Sequence, residues 1–325
     1  MDATQMTDTA AGSTTSAIDP ATELGLVSLT VANLVRSVTF YTEGLGFAVL
    51  HQDGSTATLG VAGMPFLLLT EQPGARPWPR ESRSYIGLYH FAILLPTRVD
   101  LGRWLRHWLD RGFPLPGQGD HLVSEALYLS DPDENGIEVY RDRPRDAWRW
   151  VDGRVQMAAN PVDIRGLLAE AARADEPWAG LPAGTRLGHI HLQVGDIAQG
   201  AAFYHDTLGF DVVAQMPTAL FISAGGYHHH IGMNTWHSAG ASRPPADMVG
   251  LCFFTIDFAT ADARRAVLDR VAAAGLASTR TEDVVAIQDP WRNTILLRVG
   301  PTPSAQAAAT LTASAATVTA DATGA

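Results

Sequence analysis

Four short runs concentrate the residues able to do chemistry. Residues 187–194 read LGHIHLQV, placing His189 and His191 at alternating positions of an apolar stretch, and residues 224–236 read AGGYHHHIGMNTW, with His228, His229 and His230 in a row. GLYHFAILLPTR (87–98) carries His90, and SDPDENGIEVYR (130–141) carries Glu138 and Tyr140. Side chains alternate across a strand, so His189 and His191 share one face. Clustered imidazoles either pack and satisfy one another, or hold a metal and move protons near neutral pH. With a single cysteine, Cys252, thiolate-rich zinc or iron–sulfur sites and an intrachain disulfide are excluded. Nitrogen and oxygen donors must do any metal binding.

The remaining composition narrows the partners. A net charge of -11 opposes duplex nucleic acid, which needs a basic face to displace phosphate counterions. No basic-then-apolar leader and no run of eighteen apolar residues is present, which predicts neither membrane nor export, and a cytoplasmic protein acting on small molecules. A length of 325 residues, 46% of them hydrophobic, suits two domains at roughly 150 residues each. Residues 1–21 and 301–325 are poor in large apolar side chains, predicting disordered tails.

Self-similarity gives the organisation. GLVSLTVANLVRSVTFYTEGLGF (25–47) lines up with GHIHLQVGDIAQGAAFYHDTLGF (188–210), and fourteen residues separate Leu26 from Phe40 as they do His189 from Phe203. GLYHFAILLPTR pairs in the same way with GLCFFTIDFATAD (250–262), each followed by an amphipathic helical pattern and closed by SDPDENGIEVYR or QDPWRNTILLRV. The chain therefore reads as an α+β fold of four βαβββ modules, near 24–72, 86–142, 187–237 and 249–299.

The strand–helix–FY–LGF unit, the DPDENGIEVY closing strand and the GHIHL and GGYHHHIGMNTW runs resemble the vicinal oxygen chelate superfamily, which contains glyoxalase I, bleomycin resistance proteins and extradiol dioxygenases. The likeness is strongest to bacterial catechol 2,3-dioxygenase-like proteins and covers about 22–300. It implies two curved, barrel-like mixed sheets with helices outside, and two domains (22–142 and 187–300, two modules each) joined by a linker at 143–186. It also implies a metal held from the first and last strands of paired modules.

Registering first strands by the apolar residue five places on, and last strands by their AG or Asp-Pro turns, gives eight positions. Modules one and four supply Leu26, Leu68, Leu251 and Leu296; modules two and three supply Leu88, Glu138, His189 and His230. The expected ligands are Glu138, His189 and His230, and pairing one with four and two with three makes one complete site. A homodimer stays open, since it could reunite the donors under consecutive pairing. His230 alternates out of phase with the apolar Ile231 and Met233, but His228 shares its phase, so the choice within HHH stays open. His90 and His191 fall two residues further along the same face as acid/base candidates, and Tyr140 could touch a substrate hydroxyl.

Two histidines and a carboxylate leave an ion open positions, the arrangement of non-haem Fe(II) oxygenases. The resemblance then implies Fe(II), with Mn(II) able to replace it, and an extradiol dioxygenase taking a small aromatic diol and dioxygen. Glyoxalase-type lyase chemistry would need a fourth protein donor where Leu88 was registered, and a non-catalytic drug-binding module would need no donors at all. DPDENG also looks like the start of a calcium loop, but the twelfth place from Asp131 is Asp142 and a strand follows.

Overall fold

The computed structural model describes residues 17–79, 85–174, 178–281, 284–300 and 302–311. Each repeat forms one strand, one helix and three strands. Module one has β1 (Glu23–Val31), α1 (Leu34–Thr39), β2 (Ala48–Asp53), β3 (Thr56–Val61) and β4 (Met64–Glu71). Module two has β5 (Gly87–Leu95), α2 (Arg98–Asp110), β6 (Gly117–Asp120), β7 (Ser124–Ser130) and β8 (Gly136–Asp142). The connection that follows folds as a two-stranded ribbon, β9 (Trp150–Val151) with β10 (Arg154–Val155), and α3 (Ile164–Arg173). Module three has β11 (Arg186–Gln193), α4 (Ile197–Ala201), β12 (Asp211–Met216), β13 (Ala219–Ser223) and β14 (Ile231–Asn234). Module four has β15 (Gly250–Phe258), α5 (Ala261–Ala273), β16 (Ser278–Arg280), β17 (Val285–Gln288) and β18 (Thr294–Val299).

The sheets join modules from opposite halves of the chain. One eight-stranded sheet runs β16-β17-β18-β15-β1-β4-β3-β2, and the other β12-β13-β14-β11-β5-β8-β7-β6. First strands meet antiparallel, β1 with β15 and β5 with β11, while each closing strand lies parallel to its own first strand. The expected one-with-four and two-with-three pairing is therefore the architecture, and the fold is the mixed α+β one that the repeats imply.

Each first strand ends where a polar side chain caps the following helix. Asn33, Thr97, Asp196 and Thr260 accept the N–H groups of Arg36, Asp100, Gln199 and Ala263, at 2.8, 3.1, 2.7 and 3.1 Å. These bonds satisfy donors that a first helical turn leaves orphaned. The LGF motif ends the helices of modules one and three: Gly46 and Gly209 take φ values of 93° and 90°, which glycine adopts without a Cβ clash.

The FY and Asp-Pro motifs turn out to be two ends of one contact. Tyr41 donates to Asp131 at 2.9 Å and Tyr204 to Asp289 at 3.0 Å, all four being buried. The remaining oxygen of each aspartate accepts turn N–H groups, of Asp133 and Asn135 in one case and of Trp291 and Asn293 in the other. Burial pushes the Asp131 carboxyl up to about 6. Consecutive modules are thus tied through helix and turn, while sheet pairing ties modules of opposite halves.

The tails depart from expectation where they are described. Ile18 is buried and its N–H reaches the Gly209 carbonyl at 2.8 Å, so the chain is anchored there, while residues 17, 20 and 21 remain exposed. Residues 305–311 form a helix, α6, which seats Ala308 and Leu311 against Leu26, Leu68, Phe253 and Leu296. A short alanine-rich segment is a weak helix alone, but an apolar pocket waiting for its one face supplies what propensity does not. Residues 1–16 and 312–325 lie outside the described residues. No helix among the described residues is long and apolar enough to cross a membrane.

Replacing Tyr41 by Phe removes one of the two donors to a buried Asp131 oxygen, the other being the Asn135 side chain, and Tyr204→Phe does the same at Asp289 beside Asn293. Urea unfolding is expected to show each variant destabilised by about 1–3 kcal/mol; an unchanged midpoint in both would contradict this role for the repeat.

Candidate metal centre

The antiparallel crossing of β5 and β11 brings the site together. His191 lies opposite His90, and His189 opposite Ala92, while the parallel neighbour of Ala92 on β8 is Glu138. Three donor atoms converge there. His90 Nε2 and His189 Nε2 are 3.3 Å apart, and Glu138 Oε2 lies 3.1 Å from the first and 3.0 Å from the second. All three residues are buried.

Burial opposes charge on Glu138, but the pull of His189 and hydrogen bonds from both imidazoles outweigh it and hold the carboxyl well below its usual range. Burial also lowers His90, with Glu138 partly offsetting it. Such a cluster fits a divalent cation. Donors held at about 2.1 Å from one ion with right angles between them sit about 3.0 Å apart, close to the three separations found. Without a cation the carboxylate depends on protons from its neighbours, chiefly the two imidazoles; an ion would use all three lone pairs at once. His189 Nδ1 has no hydrogen-bond partner among the described residues, so its ring is held by packing, between Tyr140 at 4.9 Å and His229 at 4.2 Å between centroids.

The third member of the cluster is His90 and not the expected His230, and the cause is register. Ten residues separate Gly87 from the helix cap Thr97, whereas eight separate Gly188 from Asp196. Aligned on the caps, His90 is the counterpart of His189, and Leu88 is displaced from that place. The pairing of β5 with β11 shifts at Tyr89, and Leu88 packs in the main apolar core instead. The same alignment makes Gly232, opposite His191 on β14, the counterpart of Glu138. His230 lies before that strand; its Nδ1 accepts the Ala224 N–H at 3.1 Å, and burial pushes it down to about 3. It does not join the cluster. In the outer sheet the corresponding positions are Leu26, Leu68, Phe253 and Leu296, with Phe253 in place of the expected Leu251.

A cavity of about 1130 Å³ opens over the cluster, lined by His90 and Glu138 and by further polar side chains. Among these, His191 sits beside His90, 4.9 Å between ring centroids. Asn234 accepts the Trp236 N–H at Oδ1, so its Nδ2 donates to His191 Nε2 at 3.0 Å and leaves the ring proton on Nδ1. Tyr140, expected to face substrate, is instead fully buried behind His189 and paired with the Tyr227 hydroxyl at 2.7 Å.

Two cavity residues, Tyr128 and His121, are not singled out from the sequence, and a third, His229, stays open within the HHH run. Tyr128 lies directly across the β7–β8 hairpin from Glu138. A hairpin turning at Asp131–Asn135 must make that pairing, so the signal was present in the spacing of Tyr128 and Glu138 about the turn. His121 Nδ1 donates to the Ala158 carbonyl at 2.7 Å, leaving Nε2 to accept from the Tyr128 hydroxyl at 2.7 Å. Burial first, and then Glu138, keep that hydroxyl protonated well past its ordinary range. His229 packs tilted against His189 and shares a hydrogen bond with His228 through the two Nδ1 atoms at 2.8 Å; His228 Nε2 meets Asp142 at 2.8 Å. A carboxylate only accepts, so His228 donates from Nε2. With His228 neutral, His229 then donates from Nδ1, and its Nε2 is a lone pair available to the cavity.

With this geometry in view, the comparisons with known proteins agree. A sequence profile described as Glyoxalase/Bleomycin resistance protein/Dioxygenase superfamily matches residues 23–139 and 186–297. The chain belongs to that superfamily. It is 46% identical over 273 residues to a Bacillus subtilis (strain 168) protein named catechol-2,3-dioxygenase, covering 83% of this chain and 94% of that protein. Among solved structures, a putative dioxygenase from Bacillus subtilis subsp. subtilis str. 168 shares the fold with a TM-score of 0.59 at 12% identity, covering 88% of this chain and 87% of the other. Glyoxalase I from Zea mays does so with a TM-score of 0.50 at 16% identity, covering 86% and 92%.

A divalent ion at a hundredfold its Kd is expected to raise unfolding stability by about 2.7 kcal/mol. Measured by thermal unfolding with and without Mn(II), the gain should vanish in His90→Ala and Glu138→Ala and persist in His230→Ala. A gain kept by His90→Ala and lost by His230→Ala would restore the other ligand set.

Proposed function

We propose that the protein is a metal-dependent extradiol dioxygenase, cleaving the ring of a catechol-type diol with dioxygen, with His90, His189 and Glu138 as the ligands of Fe(II) or, with the same donors, Mn(II). The observation that carries this reading is the donor set: two imidazoles and one carboxylate meet, and the fourth position related to them by the repeat is Gly232, which has no side chain to offer. Open positions on one side of an ion suit simultaneous binding of two reactants. The 46% identical relative named catechol-2,3-dioxygenase supports the same reading. A glyoxalase-type lyase would need a fourth protein donor, and Gly232 offers none.

The metal, when bound, supplies Lewis acidity toward the diol oxygens and a common point of attachment for diol and dioxygen. The chain's own groups then have separate tasks. His229 Nε2, backed by His228 and Asp142, is the lone pair placed to accept a diol proton and return it later. Tyr128 keeps its hydroxyl proton, which it gives to His121 Nε2, and that pair fixes the ring beside Glu138 at the metal end of the cavity. His191, held by Asn234, offers its Nδ1 proton from the opposite strand. Burial of the cluster keeps bulk water from the reacting centre and strengthens each of these contacts.

Protein loaded anaerobically with Fe(II) is expected to consume oxygen and form a yellow ring-cleavage product from catechol. His229→Ala should retain its iron and lose about 10²–10⁴-fold in kcat, the range for one acid/base group. Iron-loaded protein that consumes no oxygen with any simple catechol would overturn the reading.

A further inference from the structure

We infer that the preferred diol is uncharged and carries a bulky apolar substituent, an aryl or branched alkyl group, and that carboxylated catechols are poor substrates; this rests on the ring-cleavage reading above. Three observations bear on it: the size of the cavity, its charge, and the state of its rim.

An apolar cavity of about 150 Å³ suffices for benzene, and about 300–1,000 Å³ holds a drug-sized molecule. The 1130 Å³ here is several times what a single-ring diol fills. A diol anchored at the His90–His189–Glu138 end leaves most of that space vacant unless its ring carries something further.

The lining contains no arginine, lysine or aspartate among the described residues; its one formal charge is Glu138 at the metal end. Arginines lie near in sequence but are engaged elsewhere. Arg141 is tied to Glu125, and Arg143 to Asp120 at 2.7 Å. A carboxylate on the substrate would therefore give up water and find no cation in exchange, a cost that a neutral substituent does not meet.

Trp236 and Met216 both line the cavity, yet they remain 46% and 47% exposed. Trp236 is not loose: it stands edge-on against Tyr89 at 5.5 Å and beside His191 at 5.7 Å between centroids. A fixed indole and a flexible thioether at the mouth form an apolar rim left half exposed by the described residues, and a substituent projecting from an anchored ring would cover both. A ligand of that kind gains apolar contact at the rim and loses no ion's hydration in the cavity.

The test compares catechol, 4-phenylcatechol and 3,4-dihydroxybenzoate, both derivatives being substituted at the same ring position. The Fe(II)-loaded full chain is expected to turn over 4-phenylcatechol with kcat/KM at least tenfold above 3,4-dihydroxybenzoate. In Trp236→Ala that ratio should shrink, through a larger rise in KM for 4-phenylcatechol than for catechol. Equal or greater kcat/KM for 3,4-dihydroxybenzoate, with catechol cleaved, overturns this inference and leaves the ring-cleavage reading intact. Should none of the three be cleaved, that reading falls, and anaerobic calorimetric titration of the metal-loaded protein still decides the ligand class: tighter binding of 4-phenylcatechol supports it, and equal or tighter binding of the benzoate sinks it.

Discussion

A carboxylate buried in a sheet has to be met by positive charge or by donors, and here two imidazoles meet it. Glu138 on β8 touches both His90 on β5 and His189 on β11, so one side chain couples a closing strand to the first strands of two modules. An unpaired charge at that depth would cost several kcal/mol. Its partners are separated by 99 residues of chain, so the cluster forms only when modules two and three join edge to edge. The pairing of opposite halves is the constraint from which the site follows.

The four repeats build two such crossings and use them differently. In the inner sheet the crossing carries donors under an open cavity. In the outer one the corresponding places hold Leu26, Leu68, Phe253 and Leu296, and α6 closes over them with Ala308 and Leu311. The same repeated topology builds both sheets, and the side chains at the crossing make one a donor cluster and the other an apolar one. Helix-to-turn bonds such as Tyr41 with Asp131 hold consecutive modules together, so the two sheets share a single apolar core between them.

Much of this is legible in the amino-acid order. FY, LGF and the Asp-Pro turns recur because a tyrosine must reach an aspartate and a glycine must end a helix, and those needs repeat with the module. The choice of Glu138 and His189 follows from position within a repeat. Apolar spacing points to His230 and not to His90 because it reads a strand's alternation only where the strand is regular; the shift at Tyr89 moves every residue before it relative to the helix cap. Thr97 and Asp196 mark the common reference, since a cap fixes where strand becomes helix. Tyr128 could be found from the hairpin's symmetry about its turn. The packing of His229 against His189, and the burial of Tyr140 behind that ring, depend on how three strands curve together and have no local signal.

Anomalous diffraction from crystals of the iron-loaded protein addresses the central claim most directly. The account predicts one iron per chain, in contact with His90 Nε2, His189 Nε2 and Glu138, and no metal in the leucine-lined crossing of the outer sheet. Iron bound through His230, or lying away from Glu138, would contradict it.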